Sequence, residues 1–191
     1  MKKFLAAMFA LILLTATAQA AEPARVARLP IIFANNAPDA QTCAELELKL
    51  ERAIHIPTTK SRVEYLPPAD SAQKLGDLWR KMRTDNKRAK IQDAMRPLAR
   101  ELDADFIVCP ILHRYSENSA IGLGGNKNFI DSSVRVELIV YDRRADELVD
   151  KKTSENYRDS YHPLGTAAYL AKICFDKVID ESKLHRRVAN L

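Results

Sequence analysis

The chain has 191 residues, with 30 Lys and Arg against 25 Asp and Glu and a formal net charge of +5. That excess is mild and by itself rules out no partner. Length and pattern exclude more. About 170 residues beyond the N-terminus suit a single core, and no repeat, low-complexity tract or Pro/Gly/Ser linker divides them.

Lys2 and Lys3, the apolar run Phe4 to Leu14 and the small residues Ala18-Gln19-Ala20 form a secretory signal over residues 1–20. The apolar run is too short to span a bilayer, and no later run is long enough. No cysteine follows it, so a lipid-modified N-terminus is not indicated. Without Lys2 and Lys3 the net charge falls from +5 to +3. The signal has a bacterial look, which makes the expected destination the periplasm. Export also argues against nucleic acid as a partner.

Residues 21–191 then read as one domain. Val26 to Phe33 is a short apolar strand ending at Asn35-Asn36-Ala37-Pro38. Pro38 and Asp39 suit the first turn of a helix whose stripe is Cys43, Leu46, Leu50 and Ile54. Arg62 to Leu66 is the next strand. After Pro67-Pro68, Asp70 and Gln73 resemble a capping box for a helix striped by Ala72, Leu75, Trp79 and Met82. Ile91, Met95, Leu98 and Leu102 stripe a further helix, with a kink or break expected at Pro97.

Phe106 to Leu112 is apolar on both faces, as a central strand covered by helices requires. Pro110 cannot donate to a ladder, so a bulge or missing bond is expected there. Val134 to Tyr141 alternates like a half-buried antiparallel strand, Asp142 to Asp146 turns, and Glu147 to about Asn156 pairs back. Lys151 and Lys152 suit an exposed edge. Pro163 opens a last helix striped by Ala167, Leu170, Cys174 and Val178. Right-handed crossovers then give an α/β fold: a single mixed five-stranded sheet in the order 2-1-3-4-5, with helices packed on it.

Most candidate chemistry fails on spacing. Gly122, Leu123, Gly124 and Gly125 invite a phosphate-loop reading, but a strand and not a helix follows. Cys109 and His113 lie four apart on a strand, about 13 Å between backbones, where a nucleophile–base pair needs about 3 Å. His55, His113, His162 and His185 fall in four different elements without metal-ligand spacing. Asp103 with Asp105, and Asp142 with Asp146, flank turns, where capping is the commoner role. No catalytic residue, metal or cofactor is therefore assigned.

Three features remain. Eight basic residues between Arg80 and Arg100 form a charged stretch, either a solvated face or a weak contact with anionic membrane or cell wall. Three cysteines in an oxidising compartment leave at least one unpaired; the choices are a Cys43–Cys174 disulfide or three buried thiols, with Cys109 free in both. The connection from Tyr115 to Asp131 is long for a hairpin loop and mixes glycines with Leu123 and Phe129. It is expected to be a mobile loop that orders against another protein, the alternative being a disordered tip or a lid on its own sheet.

The run ELDADFIVCPILHRY followed by SSVRVELIVYDRRADELVDKK, within Leu98 to about Ser154, resembles the TolB N-terminal domain and the curli-export (CsgG-like) lipoprotein family. In those a helix ends in a Gly/Leu-Ala-Asp step into a central strand, then a loop, a strand ending in Asp, and an edge strand. This chain departs at Pro110, where they carry glycine, and at Arg143 to Asp146, where they carry Thr-Gly. It also lacks their lipid-attachment cysteine and any pore-forming insertion. The resemblance implies the fold and a non-enzymatic role in envelope assembly or protein contact. An exported hydrolase-like enzyme, or a small-ligand or metal-binding protein, is the alternative.

Overall fold

A computed structural model describes residues 22–57, 62–121 and 128–191. Its strands are β1 (Ala24–Arg28), β2 (Ile32–Phe33), β3 (Val63–Leu66), β4 (Phe106–Ile121), β5 (Asn128–Asp142) and β6 (Glu147–Ser160). The helices are α1 (Ala40–Ile54), α2 (Pro68–Asp85), α3 (Ile91–Leu102), α4 (Ala167–Glu181) and α5 (Leu184–Ala189), with a 3-10 turn at Pro163–Gly165 before α4. The sheet runs β3-β1-β4-β5-β6, with β2 also on β4. The first crossings are parallel and the last three strands form an antiparallel meander. This is the expected mixed α/β sheet in the expected order.

The expected first strand is broken in two. From Arg28 opposite Val108 to Ile32 opposite Ile111, it advances four residues against three on β4, so one residue is extra around Pro30. The carboxylate of Glu47 on α1 fills the gap by accepting the Ile31 N–H at 2.9 Å. Pro110 faces the same gap. The carbonyls of Val108 and Leu112 both accept bonds from this side, from Leu29 and Ala34, and alternation turns Pro110 the same way. Its missing N–H therefore falls where the ladder is already interrupted. Pro110 pairs in register with Leu138, and the bulge expected there lies at His113, between Leu112 and Arg114.

Two other local expectations are corrected. Of the kink or break expected at Pro97, the break does not occur: α3 is one continuous helix through it. Asp70 and Gln73 form no capping box, because α2 begins at Pro68 and places Asp70 inside its first turn. Asp39, by contrast, caps α1 by accepting the Thr42 N–H at 2.9 Å.

Two cores sandwich the sheet. On one face Phe106, Val108, Leu112, Val134, Val136, Leu138 and Val140 meet α1, α4 and α5. On the other, Ile107, Cys109, Ile111, Ile139 and Tyr141 meet Leu75 of α2 and Met95, Leu98 and Leu102 of α3. The largest departure from expectation is the length of the meander. Tyr115 to Ile121 and Asn128 to Asp131 are strand, not loop, and β6 runs on to Ser160. Alternating polar side chains such as Ser116, Asn118 and Ser133 hid this extension, because strands with a wet face lose the apolar signal.

Candidate functional site

The bulge at His113 sets up a buried polar cluster that joins α3 to three strands. It lets His113 and Arg114 share one face of β4, the face that carries Arg135 and Glu137 on β5. Glu137 is only 2% exposed. One of its carboxylate oxygens takes a hydrogen bond from Gln92 Nε2 at 2.7 Å and lies 3.3 Å from Lys152 Nζ. The other meets His113 Nε2. Asp150 on β6 accepts from Gln92 at 3.0 Å and from Lys152 at 2.9 Å. Burial raises the Asp150 carboxyl, but the bonds from Lys152 and Gln92 outweigh it and hold the group below its ordinary value. The same bond from Asp150 holds the Lys152 ammonium above its usual range.

This cluster marks where helical cover ends. Gln92 lies in the first turn of α3, and the helix runs from there toward Leu102 over the lower rows of the sheet. One row above, Arg114 stands directly opposite Arg135, and Arg135 opposite Ser154. The next row is Ser116, Ser133 and Asn156, with Ser133 donating to Asn156 at 2.7 Å. Arg114, Ser133, Arg135, Lys152, Ser154 and Asn156 line a shallow hollow of about 500 Å³.

The expected site residues are scattered. Gly122, Leu123, Gly124 and Gly125 lie outside the described residues, and Phe129 sits in β5 opposite Ala120, exposed. Cys43, Cys109 and Cys174 are all free thiols, so the Cys43–Cys174 bridge is not formed. The ion pairs Lys172–Glu45 and Lys49–Asp176 tie α1 to α4. Nor are all three thiols buried, since Cys43 is part-exposed. Cys109 is fully buried and its thiol is pushed up by that burial, which leaves it unsuited to act as a nucleophile beside His113.

The turn carboxylates serve structure. Asp103 takes Arg25 and Arg143, Asp142 accepts from Arg144 N–H, and Asp146 holds Arg96 and the Tyr141 hydroxyl. In the basic stretch, Arg80 pairs with Asp77 and Arg83 stacks over Trp79. Among the described residues no group of three His, Cys, Asp or Glu side chains converges as a metal set. The Glu137 cluster escaped sequence reading because its members come from α3, β4, β5 and β6. Its one local trace is a Glu in the otherwise apolar run Val136 to Tyr141.

These features define an α/β domain with one polar, partly uncovered sheet face. No family model matches the chain. No curated protein matches it either. Among solved structures it is similar to the hypothetical protein CT253 of Chlamydia trachomatis, at 15% identity over 84% of this chain and 96% of that one, TM-score 0.46. It is also similar to the PelC dodecamer of Paraburkholderia phytofirmans, at 16% identity over 85% and 88%, TM-score 0.41. A third is the lipoprotein GNA1162 of Neisseria meningitidis, at 14% identity over 83% and 99%, TM-score 0.37. No function is carried over from them. The resemblance to the TolB and curli-export domains rests on the short motifs and element order alone.

Proposed function

We propose that the protein is an exported, non-catalytic binding module that holds an envelope component against the open face of β4, β5 and β6. One observation supports this above the rest. The three strands keep pairing well past the end of α3, so the chain builds a rigid polar platform where a helix would otherwise sit. Rigid strands position side chains better than loops do, and a binding surface benefits from that order. A hydrolase-like reading is disfavoured because Cys109, the cysteine on the same strand as His113, is fully buried and its thiol is pushed up by that burial.

The test is site-specific photo-crosslinking in cells of the native host. Photoreactive residues at Ser116 and Asn156 should give discrete envelope adducts, and one at Glu51 on the far side should give none. Equal labelling at all three positions, or none at the first two, overturns the proposal. N-terminal sequencing of the cellular protein should start at Ala21; an uncleaved Met1 would remove the export component.

A further inference from the structure

Resting on the open-face reading, we infer that the group recognised there is a phosphate ester of a polar saccharide or polyol, held between Arg114 and Arg135. Like charges directly opposite each other on paired strands repel. Many arginines of the fold are neutralised: Arg28 meets Glu47, Arg96 meets Asp146, Arg143 meets Asp103 and Arg187 meets Glu147. Others, such as Arg52 and Arg186, stand alone on helices, but among the described arginines Arg114 and Arg135 are the pair set directly opposite each other in the sheet. Neither the Arg114 nor the Arg135 side chain has a hydrogen bond or ion pair among the described residues. No carboxylate from the rest of the chain remains to supply one, because residues 1–21, 58–61 and 122–127 contain no Asp or Glu. Glu137 and Asp150, the nearest acids, are engaged one row below by Gln92, His113 and Lys152. The repulsion is therefore left for an external anion to relieve.

The lining selects among anions. Two guanidinium forks present more donors than one carboxylate can accept, whereas a phosphate offers several oxygens and up to two charges. The rest of the hollow is Lys152, whose ammonium is held by Asp150 and Glu137, and Ser133, Ser154 and Asn156, whose hydroxyl and amide groups suit sugar or polyol hydroxyls. A phospholipid headgroup fits poorly. The arginine row lies six residues, or about 20 Å, from the hairpin end at Ala120. A bilayer would have to cover the polar residues Asn118, Asp131 and Arg158 to reach it.

Titration calorimetry at low salt with glucose 1-phosphate tests this. Saturable binding is expected, weakened at least tenfold in an Arg114→Gln/Arg135→Gln double variant that melts no lower than wild type. An Arg114→Lys/Arg135→Lys variant, which keeps charge and loses the fork, should fall between and guards against misfolding of the first. No saturable binding by wild type, or equal binding by the double glutamine variant, overturns the inference. So does tighter arginine-dependent binding of hexaglutamate, which would make the ligand an acidic peptide. Binding to phosphatidylglycerol vesicles without binding to glucose 1-phosphate would replace the sugar with a lipid. In each of these cases the crosslinks from Ser116 and Asn156 still stand if the open face binds something else. Loss of both results sinks both readings.

Discussion

The two faces of the β4–β5–β6 meander share one backbone and are covered very differently. On one face, cover reaches the upper rows. Glu117 on β4 accepts the first N–H of α4, from Ala167, at 2.7 Å, Tyr157 packs on Gly165, and Ile130 and Ser132 are buried beneath. On the other, α3 spans only about 18 Å of strands that run for about 50 Å, and its first turn stops at Glu137. The strands do not need both covers to stay paired, because an antiparallel sheet tolerates water on one side. What the uncovered rows need is polar side chains, and the sequence supplies them from Arg114 and Arg135 up to Asn118, Asp131 and Arg158, above which Ala120 and the exposed Phe129 share the face. The difference teaches that the end of a helix, not the end of the sheet, locates the candidate surface.

The sharpest way to break this contrast is to cut one side chain from each half. Leu138→Ala removes a fully buried group between β4 and β6 and should cost about 2–5 kcal/mol in denaturant unfolding. Ser154→Ala on the open face should stay within about 0.5 kcal/mol of wild type. A large loss at Ser154 would mean that the upper rows pack against something and are not open.

At the boundary itself, Glu137→Gln keeps the shape and removes the charge that faces Lys152 and His113. Its expected cost is about 1.5–3 kcal/mol, the range for hydrogen bonds to charged partners. A negligible change would show that the carboxylate does not anchor the cluster. Asp150 adds a pH signature. Its folded pKa lies below the ordinary 3.8, so its contribution is complete above that value and is lost as pH falls through the lower folded one. Carboxyl NMR titration should place the Asp150 midpoint below 3.8 and move it upward in a Lys152→Gln variant. An Asp150 that titrates at or above 3.8 would contradict its bonds from Lys152 and Gln92.

The covered face of the upper rows has its own test at Gly165. A Cβ there would stand 2.3 Å from the Tyr157 ring, so Gly165→Ala must displace that ring. Overpacking of this kind costs about 1–3 kcal/mol. A Gly165→Ala/Tyr157→Leu pair should recover part of the loss, and failure to do so would place the strain elsewhere.

Much of this fold is legible in the sequence. The two-sided apolar run Phe106 to Leu112 announces the central strand, and the stripes at Leu46, Leu98 and Leu170 announce helices on either side. Sheet order follows from the handedness of crossovers. The upper meander is not legible, since Tyr115 to Asp131 mixes strand residues with glycine and asparagine and shows no sustained alternation. The Glu137 cluster is hidden for a different reason. Its geometry depends on a one-residue bulge at His113 and on where α3 begins, and periodicity carries neither. Pro110 shows the reverse case. The conflict is visible in sequence, while its resolution lies in the break between β1 and β2, some eighty residues earlier.

A smaller effect, and a gain, concerns the looser cover of the open side. The two helices on that side differ: α3 buries Ala94, Met95, Leu98, Ala99 and Leu102, whereas α2 buries only Ser71 and Leu75. Beneath α2 an apolar hollow of about 240 Å³ remains between Leu29, Pro30, Leu75 and Trp79. Gly76 borders it, and a Cβ added there meets nothing within 4 Å. Space is therefore no obstacle to alanine, and the helix interior favours it over glycine by about 0.5–1 kcal/mol. Gly76→Ala should raise stability by that amount in denaturant unfolding, with an unchanged m-value. A loss instead would show that α2 approaches the sheet more closely in solution, and the hollow with it would close. In that case the uneven cover of the two faces would narrow to the rows above Glu137.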